Sequence, residues 1–220
     1  MSARVLAFSL LILTAATLTF FSGSTGEARN TNLKTIFRRP LIIGASVSSG
    51  YATLGPGTRA ALRFTSKSNI RNIARNGMRG AAYRNLNTSF LKNYSVIIAV
   101  DFLFWDSVRS DFKESVRALD HLLNSAASLG IPVVIGDIPE LIPFQFNRSR
   151  LNREIRARCK TKNRCYVLPL VELHRQAEEE GIMIRGKRYE YRDLTTDGLH
   201  LNSMGSEYLA EKIIELLSRG

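Results

Sequence analysis

The sequence predicts an α/β domain in which a parallel sheet is covered by helices on both faces. Three observations predict it. Short apolar runs that end on glycine or a polar residue (Leu41 to Gly44, Ser95 to Val100, Pro132 to Pro139 with its exit, Cys165 to Leu170) read as buried parallel strands. Longer stretches with apolar residues at helical spacing lie between them, as strand–helix–strand crossovers require. A serine, Ser46, follows the glycine that closes the first run, and open α/β sheets place ligands at the carboxyl edge of their strands.

The chain has 220 residues, 45% of them hydrophobic, which suits one domain with a substantial core. Val5 to Phe21 is apolar apart from serine and threonine, is preceded by Arg4 and is followed by small residues. Residues 1–28 therefore read as a secretory signal peptide or, if uncleaved, an N-terminal membrane anchor, with a single domain over 29–220. An exported protein, periplasmic or secreted, is expected. In such a compartment Cys159 and Cys165, the only cysteines, can close a small disulfide loop. Two free thiols are the alternative, and the spacing lacks partner ligands for zinc.

The formal net charge is +12, and Arg148, Arg150, Arg153, Arg156, Arg158, Lys160, Lys162 and Arg164 form a basic band. Nucleic acid is the first partner to weigh. No nucleic-acid module is present, however, and anionic envelope polymers or a membrane surface suit an exported chain better. A solvated basic helix face gives the same pattern.

Taken in order, Asn30 to Pro40 is a basic lead-in to the first strand. Ser48 to Pro56 is rich in serine and glycine, so a long, mobile loop is expected past Ser46. Ala60 to Ala74 holds a weakly patterned helix or strand pair. Asn76 to Ala82 carries Gly77 and Gly80, suited to a tight turn that exposes backbone N–H groups. The strand Ser95 to Val100 runs into Asp101, Phe102, Leu103, Phe104, Trp105 and Asp106. Those aromatics either line an acyl or sugar pocket or pack the core. Phe112, Val116, Leu119, Leu122, Leu123 and Ala126 predict an amphipathic helix ending near Gly130, with His121 as a surface or packing residue. Asp137, at the carboxyl end of the next strand, either faces the site or, the preferred reading, serves the turn. Asn147 to Arg158 fits a basic helix, and Val171 to Gly181 a helix carrying His174. Ile182 to Leu194 is an irregular or hairpin segment. Met204, Tyr208, Leu209, Ile213, Leu216 and Leu217 give a closing helix its apolar stripe.

A serine hydroxyl is a weak nucleophile unless a base, itself oriented by a third group, stands beside it. Ser46 has the position for the role, and Ser48 and Ser49 compete with it. Of the three histidines, His200 alone has an aspartate at Asp-x-x-His spacing, Asp197 across the Gly198 turn, able to hold the imidazole in one tautomer. His174 has no such partner and reads as a solvated helix residue.

Gly44-Ala45-Ser46 near one end of the domain and Asp197-Gly198-Leu199-His200 near the other resemble the first and last blocks of the SGNH/GDSL hydrolases, over roughly Leu41 to Leu217. The resemblance implies a three-layer α/β/α sandwich, flavodoxin-like, with a mainly parallel five-stranded sheet. It also implies a serine esterase acting on a carboxylic ester of a small molecule, lipid or O-acyl glycan, with no metal or cofactor. Ser46 is then the nucleophile, His200 the base and Asp197 its orienter, and the amides of Ser46 and Gly80, or Gly77 in second place, form the oxyanion hole. Two departures stand out. Ala45 replaces the usual aspartate, and the third-block asparagine that donates to the oxyanion is missing where Asp101, Phe102, Phe104 and Trp105 stand. One such donor is worth on the order of 10²–10³ in rate. An ionised Asp101 cannot donate and is left to cap the next helix or bind polar groups of substrate. A catalytically silent binder of envelope glycan or lipid and an O-acetyltransferase with the same triad are the rival readings.

Overall fold

The computed structural model describes residues 32–109 and 111–219, so the leader expected at 1–28 lies outside the described residues. β1 (Pro40–Ile42), β2 (Arg71–Asn72), β3 (Val96–Ala99), β4 (Val133–Gly136) and β5 (Cys165–Leu168) form one sheet in the order β2-β1-β3-β4-β5. Every pairing in it is parallel. The longer helices are α1 (Pro56–Leu62), α2 (Phe112–Ser128), α3 (Arg148–Lys160), α4 (Leu170–Glu179) and α5 (Ser203–Leu217). An antiparallel hairpin of β6 (Ile182–Ile184) and β7 (Lys187–Tyr189) stands apart from the sheet.

β1, β3 and β4 are buried at every residue, which is why they read as unbroken apolar runs rather than alternating ones. Successive side chains still point to opposite faces. Leu41, Ile97, Ala99, Val133 and Ile135 pack with Leu119, Leu122, Leu151 and Ile155 of α2 and α3. Ile42, Ile98 and Val134 pack on the other side with Ala60, Ala61, Leu209 and Ile213 of α1 and α5. Each fully buried leucine or isoleucine contributes about 2 kcal/mol, so these two layers hold the sandwich. A third, smaller cluster joins Ala177, Ile182, Ile184 and Leu194 beneath the hairpin.

The strand order places a switch point between β1 and β3, where the chain stops winding one way and starts winding the other. Ligands of such sheets bind at that crevice. Ser46 leaves the carboxyl end of β1 and Asp101 that of β3, so both stand at the switch.

Local structure differs from expectation in two places, and the expected disulfide is present. The mobile loop expected after Ser46 is instead a one-turn helix, Ser46–Ser49, closed by Gly50 at φ 84° with its N–H on the Ser46 carbonyl, and α1 follows with proline in its first turn. Ala60 to Ala74 resolves into the end of α1 and the two-residue edge strand β2, whose residues are both exposed. The sulfurs of Cys159 and Cys165 are bonded, tying the last turn of α3 to the first residue of β5. Among the described residues no helix is long and apolar enough to cross a membrane.

Candidate active site

The site begins where β1 ends. Gly44 adopts φ 138°, outside the reach of most side chains, and a Cβ there would meet Asp101 Oδ1 at 2.3 Å. That sharp exit delivers Ser46 to the first position of the one-turn helix, with only 7% of its surface exposed. The cap of this short helix comes from another strand. Asp101 accepts the N–H of Ala45 at 2.9 Å on one carboxylate oxygen and that of Val47 at 2.8 Å on the other, and the Ser48 N–H falls between them. Desolvation pushes the Asp101 carboxyl up from its ordinary range, while hydrogen bonds from Ser48 and from the Ala45 and Val47 amides pull it back. Tyr83 braces the same turn from below: its hydroxyl accepts the Gly44 N–H at 3.2 Å and donates to the Gly44 carbonyl at 2.8 Å.

The last block closes over this turn. Asp197 Oδ1 accepts the N–H of His200 at 2.7 Å and of Leu199 at 2.9 Å, folding the Asp-x-x-His segment onto itself. Asp197 Oδ2 then lies 2.7 Å from His200 Nδ1, and His200 Nε2 lies 3.1 Å from Ser46 Oγ. The imidazole beside it, with the two N–H groups, holds the Asp197 carboxyl down at about 2. Two side chains 154 positions apart in the chain thus meet within hydrogen-bond distance. The Tyr51 ring stands 4.8 Å from the His200 ring on the solvent side.

Other predicted site residues fall elsewhere. The Gly80 N–H donates to the buried Asp106 Oδ2 at 2.6 Å, so this amide is committed to a side chain and not free for an oxyanion; a polar partner beyond the end of β3 left no mark in the glycine pattern. Gly77 sits on the loop tied to the nucleophile turn, where Arg75 N–H donates to the Gly44 carbonyl and Ser49 Oγ donates to Asn76 Oδ1 at 2.7 Å. Phe102 is fully buried in the α2–α3 layer and Trp105 packs against it, so both serve the core; Phe104 alone of the three aromatics faces the cavity beside Ser46. Asp101 also borders that cavity, but its oxygens are turned to the helix amides.

The cavity measures about 100 Å³ and runs from Ser46 and Leu103 beneath the 191–201 segment to α4 and α5. His174, expected in solvent, is part of its wall, edge-on to Tyr191 at 4.4 Å, and burial lowers its pKa against the opposing pull of Glu178 and Glu140. Sequence reading missed Tyr51, Tyr83 and the capping role of Asp101 across the turn. Among the described residues no group of His, Cys, Asp and Glu is arranged to hold a metal.

No protein-family model matches the sequence, and no curated protein does. Solved structures do. A psychrotrophic esterase, EstA, from Pseudoalteromonas superposes with a TM-score of 0.58 at 13% identity, over 83% of this chain and 97% of the other. A GDSL-like lipase from Bacteroides thetaiotaomicron gives 0.54 at 14% identity, over 86% and 95%. This chain has the SGNH/GDSL hydrolase fold. A family 3 carbohydrate esterase from Clostridium thermocellum, at 0.52 and 13% identity over 82% and 98%, shares it. At such identities the likeness speaks for the SGNH architecture, and the chemistry rests on the geometry above.

Proposed function

We propose that this SGNH-fold protein is an exported serine esterase that hydrolyses carboxylic esters through Ser46, His200 and Asp197. One observation carries the reading: the unbroken chain from Ser46 Oγ to His200 Nε2 at 3.1 Å and from His200 Nδ1 to Asp197 Oδ2 at 2.7 Å. His200 takes the proton as Ser46 Oγ attacks the ester carbonyl, and the carboxylate stabilises the imidazolium that forms. The oxyanion is held by the Ser46 N–H, which lies outside the set of amides taken by Asp101, with the Gly77 N–H as second donor. His200 returns the proton to the departing alcohol. Water then attacks the acyl-enzyme with the same base, releasing the acid and restoring the Ser46 hydroxyl.

Ser46→Ala tests the reading. Wild-type protein should hydrolyse p-nitrophenyl acetate and react with a fluorophosphonate probe at Ser46, and the variant should do neither. Equal hydrolysis by the two proteins would sink it. The rival, a silent binder of envelope glycan or lipid, is favoured by one feature: Asp101, where the resembled family places its donor asparagine, is an acceptor here. A protein that binds ligand yet leaves Ser46 unlabelled would be that binder.

A further inference from the structure

The cavity beside Ser46 has polar residues in its wall, yet most of their polar atoms are aimed out of it. Asp137 Oδ2 takes Arg156 at 2.6 Å, and its Oδ1 takes the Val171 N–H at 2.8 Å, capping α4. The Asp101 oxygens are turned to the helix amides, and the Tyr191 hydroxyl donates to the Gly198 carbonyl at 2.9 Å. Leu170, Leu173 and Ala177 of α4, Leu194 and Leu209 supply the opposing apolar surface. A sugar or other polyol buried here would lose water at most of its hydroxyls, with only Ser46, His174 and Tyr208 left in the wall to partner them. An alkyl chain has no hydroxyl to strand and gains by burying its apolar surface against these leucines.

We propose that this cavity is an acyl-chain site: the esters cleaved at Ser46 carry an unbranched acyl group of several methylenes rather than an acetyl group, and α4 is the wall that limits its length. The assignment rests on the serine-esterase reading for the location of the carbonyl, since Ser46 lies at the cavity's edge. The alcohol portion then stays on the solvent side, toward Tyr51, which is 63% exposed. His174 fits the same account, because its place in this wall desolvates the imidazole and disfavours its charged form.

The experiment uses the full chain and p-nitrophenyl acetate, octanoate and dodecanoate, with decanoic acid as a binding probe. Octanoate should exceed acetate in kcat/KM. Leu173→Trp, which fills the space, should lower the octanoate-to-acetate ratio about tenfold, whereas Arg153→Ala, on the exposed side of α3, should leave the ratio alone. Should the tryptophan unfold the domain, His174→Ala supplies the opposite arm, since enlarging the wall should move the preference toward dodecanoate. Calorimetry on Ser46→Ala should detect decanoate binding, weakened about tenfold when Leu173→Trp is added. Acetate preferred by wild type, with a ratio that neither wall variant moves, overturns the acyl site and leaves the serine reading standing. Absence of cleavage at every chain length, with decanoate still bound and still lost in Leu173→Trp, overturns the serine reading and leaves the acyl site standing.

Discussion

The two halves of the candidate triad are held in opposite ways. Ser46 sits on a turn fixed by the sheet, with Gly44 allowing the chain to bend, Asp101 gathering three amides and Tyr83 clasping the backbone from beneath. His200 and Asp197 sit on a loop whose order comes from within the loop itself, through Asp197 and through the Thr196 N–H on the His200 carbonyl at 2.8 Å. The Asp197 side chain is 51% exposed, against 7% for Ser46. The nucleophile is therefore part of the folding core, whereas the His200 side chain, itself 15% exposed, is held mainly by an exposed carboxylate of its own loop. Changes at the first end should cost stability and activity together, and changes at the second should cost activity with little loss of stability.

The largest effect expected is His200→Ala: kcat/KM for a short ester should fall on the order of 10³-fold or more. Urea unfolding should show a loss of about 1 kcal/mol or less, because the imidazole gives up hydrogen bonds to Asp197 and Ser46 but packs against the core with little else. A large loss of stability would erase the contrast between the two ends. Asp101→Ala comes next. It strands donors that the carboxylate now satisfies, each costing about 1–3 kcal/mol when left unpaired, so urea unfolding should show a loss of about 3 kcal/mol along with weakened activity. Asp101→Asn should fall between, because one oxygen becomes an NH₂ that faces another N–H. If Asp101→Ala unfolds at the wild-type midpoint, the turn is held by something else.

The smallest effect concerns pH. Asp197 is depressed from 3.8 to about 2 in the folded chain, so its contribution is complete above pH 4 and is lost as pH falls from about 4 to about 2. The exposed carboxylate limits that contribution to under about 1 kcal/mol. Stability measured between pH 2 and 5 should fall slightly less steeply for Asp197→Asn than for wild type. Identical slopes would mean that the loop does not hold this carboxylate in its observed contacts.

What was legible follows from the same contrast. β1, β3 and β4 are short buried runs with clear ends, and Gly-x-Ser and Asp-x-x-His are local patterns whose chemistry depends on near neighbours, so sequence alone exposes both. β2 is two exposed polar residues held by pairing along β1 and by the Asn72 side chain on the Ser48 carbonyl, which no periodicity betrays. The capping role of Asp101 depends on amides more than fifty positions away, and backbone donors leave no trace in residue types. The misassigned oxyanion glycine has the same cause, since Asp106 claims the Gly80 amide from another element. Phe102 and Trp105 went to the core and Phe104 to the cavity because a tight turn past β3 points neighbouring side chains in different directions.

The empty space at Gly44 reaches further than its own turn. Since a methyl group at that point would collide with both the Asp101 carboxylate and the Ser48 hydroxyl, substitution there acts on two other residues before it acts on itself. A saturation library at position 44, selected for folded protein alone, should already return glycine almost exclusively. Here the requirement for chemistry and the requirement for a foldable chain fall on one atom that is not there.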